Sequence, residues 1–143
     1  MKRALLFSIC LLAFGSAVAF GADSATSRTT QAKSAKGMIG KAKGPNAVTV
    51  GEAYRDSARL AGNVVVIRGK VVKVTAGIMD KNWVHIQDGT ENNGNYDLTC
   101  TTSGELPPKG AVVTVTGRLA TNRDFGAGYF YPVIVEDVTF SKK

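Results

Sequence analysis

A chain of 143 residues suits one domain with tails. Its 20% charged and 44% hydrophobic residues exclude a wholly disordered chain, and 16 Gly with 4 Pro and no three-residue period exclude collagen. The formal charge is +7, and a single His and two Cys leave little material for metal or thiol chemistry.

Lys2 and Arg3 open the chain, and an apolar run from Ala4 to Phe14 follows, broken only by Ser8. Ala17-Val18-Ala19 then gives a small-x-small cleavage pattern. Basic start, apolar core and small-residue site are the three parts of a secretory signal peptide, expected over residues 1–19 with cleavage after Ala19. The apolar core is short beside the ~20 residues of a bilayer span, so no membrane span is expected after cleavage. Removing residues 1–19 takes away two basic charges and no acidic one, which turns +7 into +5. It also removes Cys10 and leaves Cys100 as the only thiol, so the mature chain has no internal disulfide.

Residues 20–46 read as a flexible basic linker, rich in Ser, Thr, Ala, Gly and Lys and without apolar period. Arg28, Lys33, Lys36, Lys41 and Lys43 stand there against Asp23 alone. From Ala47 to Ser141 nine basic residues meet ten acidic ones, so the folded part is close to neutral and the basic balance belongs to the tails.

Thr49 followed three residues later by Glu52 is a capping box, and Val50, Ala53, Tyr54, Ser57, Ala58 and Ala61 fall at helical spacing. A short helix is expected over about Val50–Leu60, ended by Gly62. Five strands should follow. The first, Asn63–Thr75, is a long β-branched run in which a bulge near Gly69 would turn Val65 and Ile67, then Val72 and Val74, to one core. After a loop at Ala76–Lys81, the second strand, Asn82–Gln87, alternates Trp83, His85 and Gln87 with Val84 and Ile86. Asp88-Gly89-Thr90 is a turn signal. The third strand runs Tyr96–Thr101, with Leu98 and Cys100 on its apolar side. The loop Ser103–Gly110 leaves little room for a helix. The fourth strand, Ala111–Leu119, leads through a Gly-containing loop to the fifth, Tyr129–Phe140, where Pro132 marks an edge or bulge. One helix and five strands with a long bent first strand predict a small all-β barrel.

Three stretches carry a resemblance: Arg68-Gly69-Lys70-Val71-Val72, Trp83-Val84-His85-Ile86-Gln87-Asp88-Gly89-Thr90, and Val115-Thr116-Gly117-Arg118-Leu119. In their order and spacing they resemble the OB-fold, a five-stranded Greek-key barrel. They are similar to small exported bacterial OB-fold proteins of the cell envelope and, more weakly, to anticodon-type nucleic-acid-binding OB domains. The resemblance spans about Val48–Phe140 and implies a non-enzymatic binding module, periplasmic or secreted, with no cofactor. Its partner would be an envelope protein or a small or oligomeric ligand. Single-stranded nucleic acid is the second reading, against which the near-neutral barrel weighs. Metal or haem handling is the third, suggested only by Met79, Trp83 and His85.

No enzyme is expected, since the one His is mid-strand without an evident nucleophile and orienting carboxylate. The outer face of strands two and three, with Trp83, His85, Asp97, Thr99 and Thr101, and the loops joining strands one–two and four–five are where the OB resemblance places a ligand. Alternation turns Trp83 and His85 away from the core filled by Val84 and Ile86. Lys81, Arg123, Phe125, Tyr129 and Tyr131 would rim the same side, supplying cations and stacking rings. The bland alternative packs Trp83 beneath the helix or a loop and uses the Tyr rings to close the barrel.

Overall fold

The structure, a computed structural model, describes residues 37–142. The expected signal peptide and the first part of the expected linker, through residue 36, lie outside the described residues.

The helical period yields two short helices rather than one: α1, Val50–Arg55, and α2, Ser57–Leu60. Asp56 (φ −101°, ψ 16°) caps the first and opens the second, and this departure from helical backbone splits the expected segment. The capping box forms as read: Thr49 accepts from the Glu52 N–H, and the Glu52 carboxylate accepts from the Thr49 N–H at 2.8 Å.

The strands are β1 (Val64–Ile78), β2 (Lys81–Gln87), β3 (Leu98–Thr102), β4 (Val112–Asp124) and β5 (Phe130–Lys142). They close into a barrel in the order β1-β2-β3-β5-β4, with β4 returning to β1. All neighbours are antiparallel except β3 and β5, which meet in parallel at Cys100 and Val135. β1 serves two partners: residues 64–70 pair with β4 and residues 70–78 with β2. Gly69 stands at that changeover, where a Cβ would come within 3.2 Å of the Ile86 side chain.

The expected bulge at Gly69 is corrected. Val65, Ile67 and Val71 are all buried, so the inward parity runs straight through Gly69. Register shifts in the β1–β2 ladder lie instead between Val71 and Lys73 and between Thr75 and Ile78, and Val72 and Val74 are only half-buried. The two hairpins are also tighter than expected. β1 and β2 are joined by Met79 and Asp80 alone, both at positive φ (54° and 58°), the backbone of a two-residue type I′ connection. β4 runs on to Asp124, so much of the expected Gly loop is strand.

The core holds Val65, Ile67, Val71, Val84, Ile86, Leu98, Cys100, Val113, Val115, Leu119, Val133 and Val135, with Val48, Val50, Ala53 and Leu60 contributed by the helical segment. Burial pushes the Cys100 thiol up, which keeps it a neutral packing group. A bulge in β5, at Asp137 (φ 52°) opposite Gly117, lets Val138 fold inward. A Cβ on Gly117 would stand 2.5 Å from Val138 Cγ1 and 2.8 Å from the Glu136 carbonyl oxygen, so only glycine fits.

The turn Asp88-Gly89-Thr90 holds the helix to the barrel. Buried Asp88 accepts from the Val50 N–H through Oδ2 (2.8 Å), and from the Thr90 N–H (2.9 Å) and hydroxyl (2.6 Å) through Oδ1. The Thr90 hydroxyl oxygen in turn accepts from the Gly51 N–H at 2.8 Å. Gly51 itself admits no side chain, since a Cβ would meet the Glu91 carbonyl oxygen at 2.7 Å.

The expected linker is corrected for its last ten residues. Gly37–Asn46 forms a strap on the barrel: the Ile39 N–H donates to the Asp88 carbonyl, Lys41 pairs with Glu52 at 2.6 Å, and the Asn46 carbonyl accepts from the Val66 N–H. Apolar periodicity gives no sign of this, because backbone bonds and one ion pair make the attachment.

Asp88→Ala removes the acceptor of a buried helix N–H and is expected to lower stability by about 1–3 kcal/mol. Asp88→Asn, which keeps one oxygen, should lose less. Urea denaturation followed by circular dichroism measures both.

Candidate functional site

β2 sends Val84 and Ile86 into the core, so Trp83 and His85 leave on the other side, as alternation requires. Trp83 is nevertheless only 3% exposed. This matches the packing alternative, with the β4–β5 hairpin as the cover: three of its rings roof the indole. Phe125 meets it edge-on with centroids 5.1 Å apart, Tyr131 stacks at 5.5 Å, and Tyr129 lies tilted at 6.1 Å. Its Nε1–H donates to the Ile78 carbonyl at 2.8 Å, which satisfies the indole's one polar group.

The hairpin that carries the roof is shaped by Gly126 (φ 80°), Ala127 (φ 52°) and Gly128 (φ 85°). The Phe125 N–H donates to the Tyr129 carbonyl, and the Tyr129 N–H to that of Gly126, each at 2.9 Å. Arg123 completes this side. Its guanidinium carbon lies 5.5 Å from the Phe125 ring centroid, and Glu136 holds the guanidinium as an ion pair, with Nε 3.1 Å from Oε2 and Nη2–H donating to Oε1 at 3.3 Å. Burial pushes the Tyr131 hydroxyl up, with the neighbouring Tyr129 adding to the effect.

Of the seven expected residues, Trp83, Arg123, Phe125, Tyr129 and Tyr131 thus form one contiguous cluster. Lys81 and His85 have other partners. Lys81 reaches Asp137 at 3.9 Å. His85 Nδ1 lies 2.7 Å from Asp97 Oδ1, and the Gln87 amide donates to Asp97 Oδ2 at 3.2 Å. Thr99 and Thr101, expected on an open face, are 5% and 0% exposed. Thr101 stands opposite Trp83 in the β2–β3 ladder, and its hydroxyl is the one buried side-chain polar atom among the described residues that lacks a partner.

The His85–Asp97 pair escapes sequence reading, because His85 faces Thr99 in register and Asp97 is reached only on the diagonal. Burial pushes the Asp97 carboxyl up. Hydrogen bonds from His85 and Gln87, with the charges of His85 and Lys73, outweigh that and hold it below its ordinary value. On the far side, the Tyr54 hydroxyl donates to the Asp97 carbonyl at 2.7 Å, and burial pushes that phenol up to about 12. The Thr99 hydroxyl approaches the same nitrogen of His85 that faces Asp97. It is therefore not placed as a nucleophile on Nε2.

Among the described residues no three His, Cys, Asp or Glu side chains gather as metal ligands, and no helix is long and apolar enough to cross a membrane. Large apolar side chains do remain exposed at both hairpin tips: Met79 on the β1–β2 turn, and Tyr129 and Phe130 on the β4–β5 side. No protein-family model and no curated protein matches the chain.

Trp83→Ala removes a ring enclosed by three others and is expected to lower stability by about 3–5 kcal/mol, read by urea denaturation. Asp97 gives a pH signature. Its folded value is depressed, so its stabilisation is present above the ordinary carboxylate value of about 3.9 and is lost as pH falls through the lower folded value. Asp97→Asn should flatten the loss of thermal stability in that acid window.

Proposed function

We propose that the chain is an exported, non-enzymatic OB-fold binding module of the bacterial cell envelope. Its ligand surface is the aromatic cluster with the two hairpin tips beside it. The barrel order and the short hairpins on either side of the cluster support the OB reading. Lys2-Arg3, the apolar run and Ala17-Val18-Ala19 support export.

The observation that carries the binding role is the grouping of aromatic side chains. Phe125, Tyr129 and Tyr131 gather over Trp83, while Tyr129 stays 40% and neighbouring Phe130 56% exposed. A roof built only to bury an indole has no need to leave such rings at the surface, whereas a partner surface does. Rings of this kind stack on the faces of sugars or bases, or fill a protein partner's apolar pocket. The unpartnered Thr101 hydroxyl, across the ladder from Trp83, offers a hydrogen bond to a group that displaces the roof. Single-stranded nucleic acid is the second reading, favoured by Arg123 lying over Phe125 and opposed by the near-neutral barrel.

Trp83 is the only Trp and serves as the reporter. Its emission is followed while soluble cell-wall glycan fragments, envelope protein fractions and oligo-dT are titrated in at low and high salt. A saturable change with a glycan or protein fraction, weakly dependent on salt and reduced at least tenfold in Phe125→Ala/Tyr129→Ala, is the expected result. Saturable oligo-dT binding that falls steeply with salt would replace this reading with the nucleic-acid one. No response to any probe would overturn both.

A further inference from the structure

Away from the aromatic cluster, the strap and the barrel enclose a groove of about 390 Å³ lined by Lys41, Lys43, Arg68, Thr114 and Ser141, with Ala42 and Val66 as its apolar part. Three of these residues form one rung across the sheet. Arg68 of β1 pairs with Thr114 of β4, and Thr114 pairs with Ser141 of β5. Their neighbours Ile67, Val113 and Val115 are core residues, so alternation puts the guanidinium and the two hydroxyls together on the outer face. The strap crosses this rung. Gly40 passes so close that a Cβ there would lie 3.9 Å from Arg68 Nη1, and Lys41 and Lys43 follow on either side of Ala42.

The charge balance of the groove is one-sided. Among the described residues, no carboxylate lines it. Lys41 is matched by Glu52 at 2.6 Å, and that pair fastens the strap. Among the described residues, neither Arg68 nor Lys43 has a carboxylate within ion-pair distance. Arg68 is half-buried between strap and sheet, where its charge is screened less than on an open surface. A half-covered cation flanked by hydroxyl donors, with no carboxylate at ion-pair distance, presents a field that draws an anion.

We propose that this groove is a binding site for a phosphate-type oxyanion, distinct from the aromatic cluster and independent of the role assigned to it. The donor set selects the chemistry. A guanidinium fork takes two oxygens of one phosphate, the Thr114 and Ser141 hydroxyls donate to others, and Lys43 supplies a point charge at the mouth. The rung crosses three strands, two interstrand spacings or roughly 9.6 Å, wider than one carboxylate spans and suited to phosphates joined as a diphosphate. The same group arrives either as a free diphosphate or as the headgroup of an anionic lipid.

The test is calorimetric titration of the whole protein with inorganic pyrophosphate at low ionic strength, beside sedimentation with vesicles that carry a polyprenyl diphosphate lipid. Saturable one-to-one pyrophosphate binding is expected, weakened about tenfold in Arg68→Gln and by less in Lys43→Gln and Thr114→Val. Lys109→Gln, at a basic residue outside the groove, should bind as the parent does. Thermal melting of each variant without ligand, matching the parent, shows that folding is intact. Vesicle binding that also depends on Arg68 would identify the lipid headgroup as the source, and pyrophosphate binding alone the free anion. Absence of saturable binding to both probes, or equal weakening by Lys109→Gln and Arg68→Gln, would overturn the proposal. Neither outcome bears on the aromatic cluster, whose variants leave this groove untouched.

Discussion

Asp88 commits both carboxylate oxygens to N–H and O–H groups of other residues while almost wholly buried, and the arrangement around it follows from that one commitment. A barrel whose interior is filled mainly by Val, Ile and Leu still has ends to close. Here the helical segment contributes Val48, Val50, Ala53 and Leu60 to the core. Six residues of helix are far too few to be stable alone. α1 is held instead by what meets its first turn: Thr49, Glu52, Asp88 and the Thr90 hydroxyl satisfy N–H groups that a short helix cannot satisfy itself. The same turn accepts the strap through the Asp88 carbonyl, so one loop between β2 and β3 fixes helix, strap and barrel together.

The aromatic side of the molecule is governed by a different balance. Trp83 is a buried hydrophobic residue that lies outside the barrel core. Burial there comes from the hairpin folding over the sheet, not from the sheet closing on itself. Each ring pair adds about 0.5–1.5 kcal/mol beyond area burial to that closed roof. Arg123, held by Glu136 and lying over Phe125, ties the hairpin to β5. The unpartnered Thr101 hydroxyl shows where the packing falls short of full satisfaction. Packing and binding are therefore not exclusive roles for Trp83: a ring can carry stability in the closed roof and lie beneath a ligand that replaces part of it.

Much of the barrel could be read from residue pattern. The Val84/Ile86 alternation, the Leu98 and Cys100 face, and the Thr49/Glu52 capping box each express a local rule, and each is where it was expected. What alternation cannot report is what lies above an outward residue. It turned Trp83 away from the core; the OB resemblance, not alternation, put Phe125, Tyr129 and Tyr131, some forty residues later, on the same side, and their closing over the indole depends on how the hairpin folds. It likewise missed His85 with Asp97, whose meeting depends on cross-strand register, and the shift at Val72, where two consecutive Val residues fit either parity. The strap was missed because Gly37–Asn46 attaches through backbone and one Lys–Glu pair, neither of which leaves an apolar signature.

The two outer features of the barrel share strands but not position. Arg68 and Ile78 stand ten residues apart on β1, and Thr114 and Asp124 ten apart on β4. At the rise of a strand this is roughly 33 Å of backbone between the cationic rung and the aromatic hairpin tips. A ligand that fits a groove of about 390 Å³ does not reach the rings. A polymer can, if it runs along β1 and β4, with stacking at one end and phosphate contacts at the other. The distinction has an energetic form. Independent ligands make Arg68 and Phe125 substitutions affect different affinities, with no coupling between them. A single polyanionic polymer makes both substitutions weaken one affinity, and only the Arg68 part of the loss fades as salt rises. The near-neutral charge of residues 47–141 favours the first case, because a polymer that tracks its backbone along a protein needs cations along the whole path. Here the cations of the groove are gathered where the strap crosses the sheet.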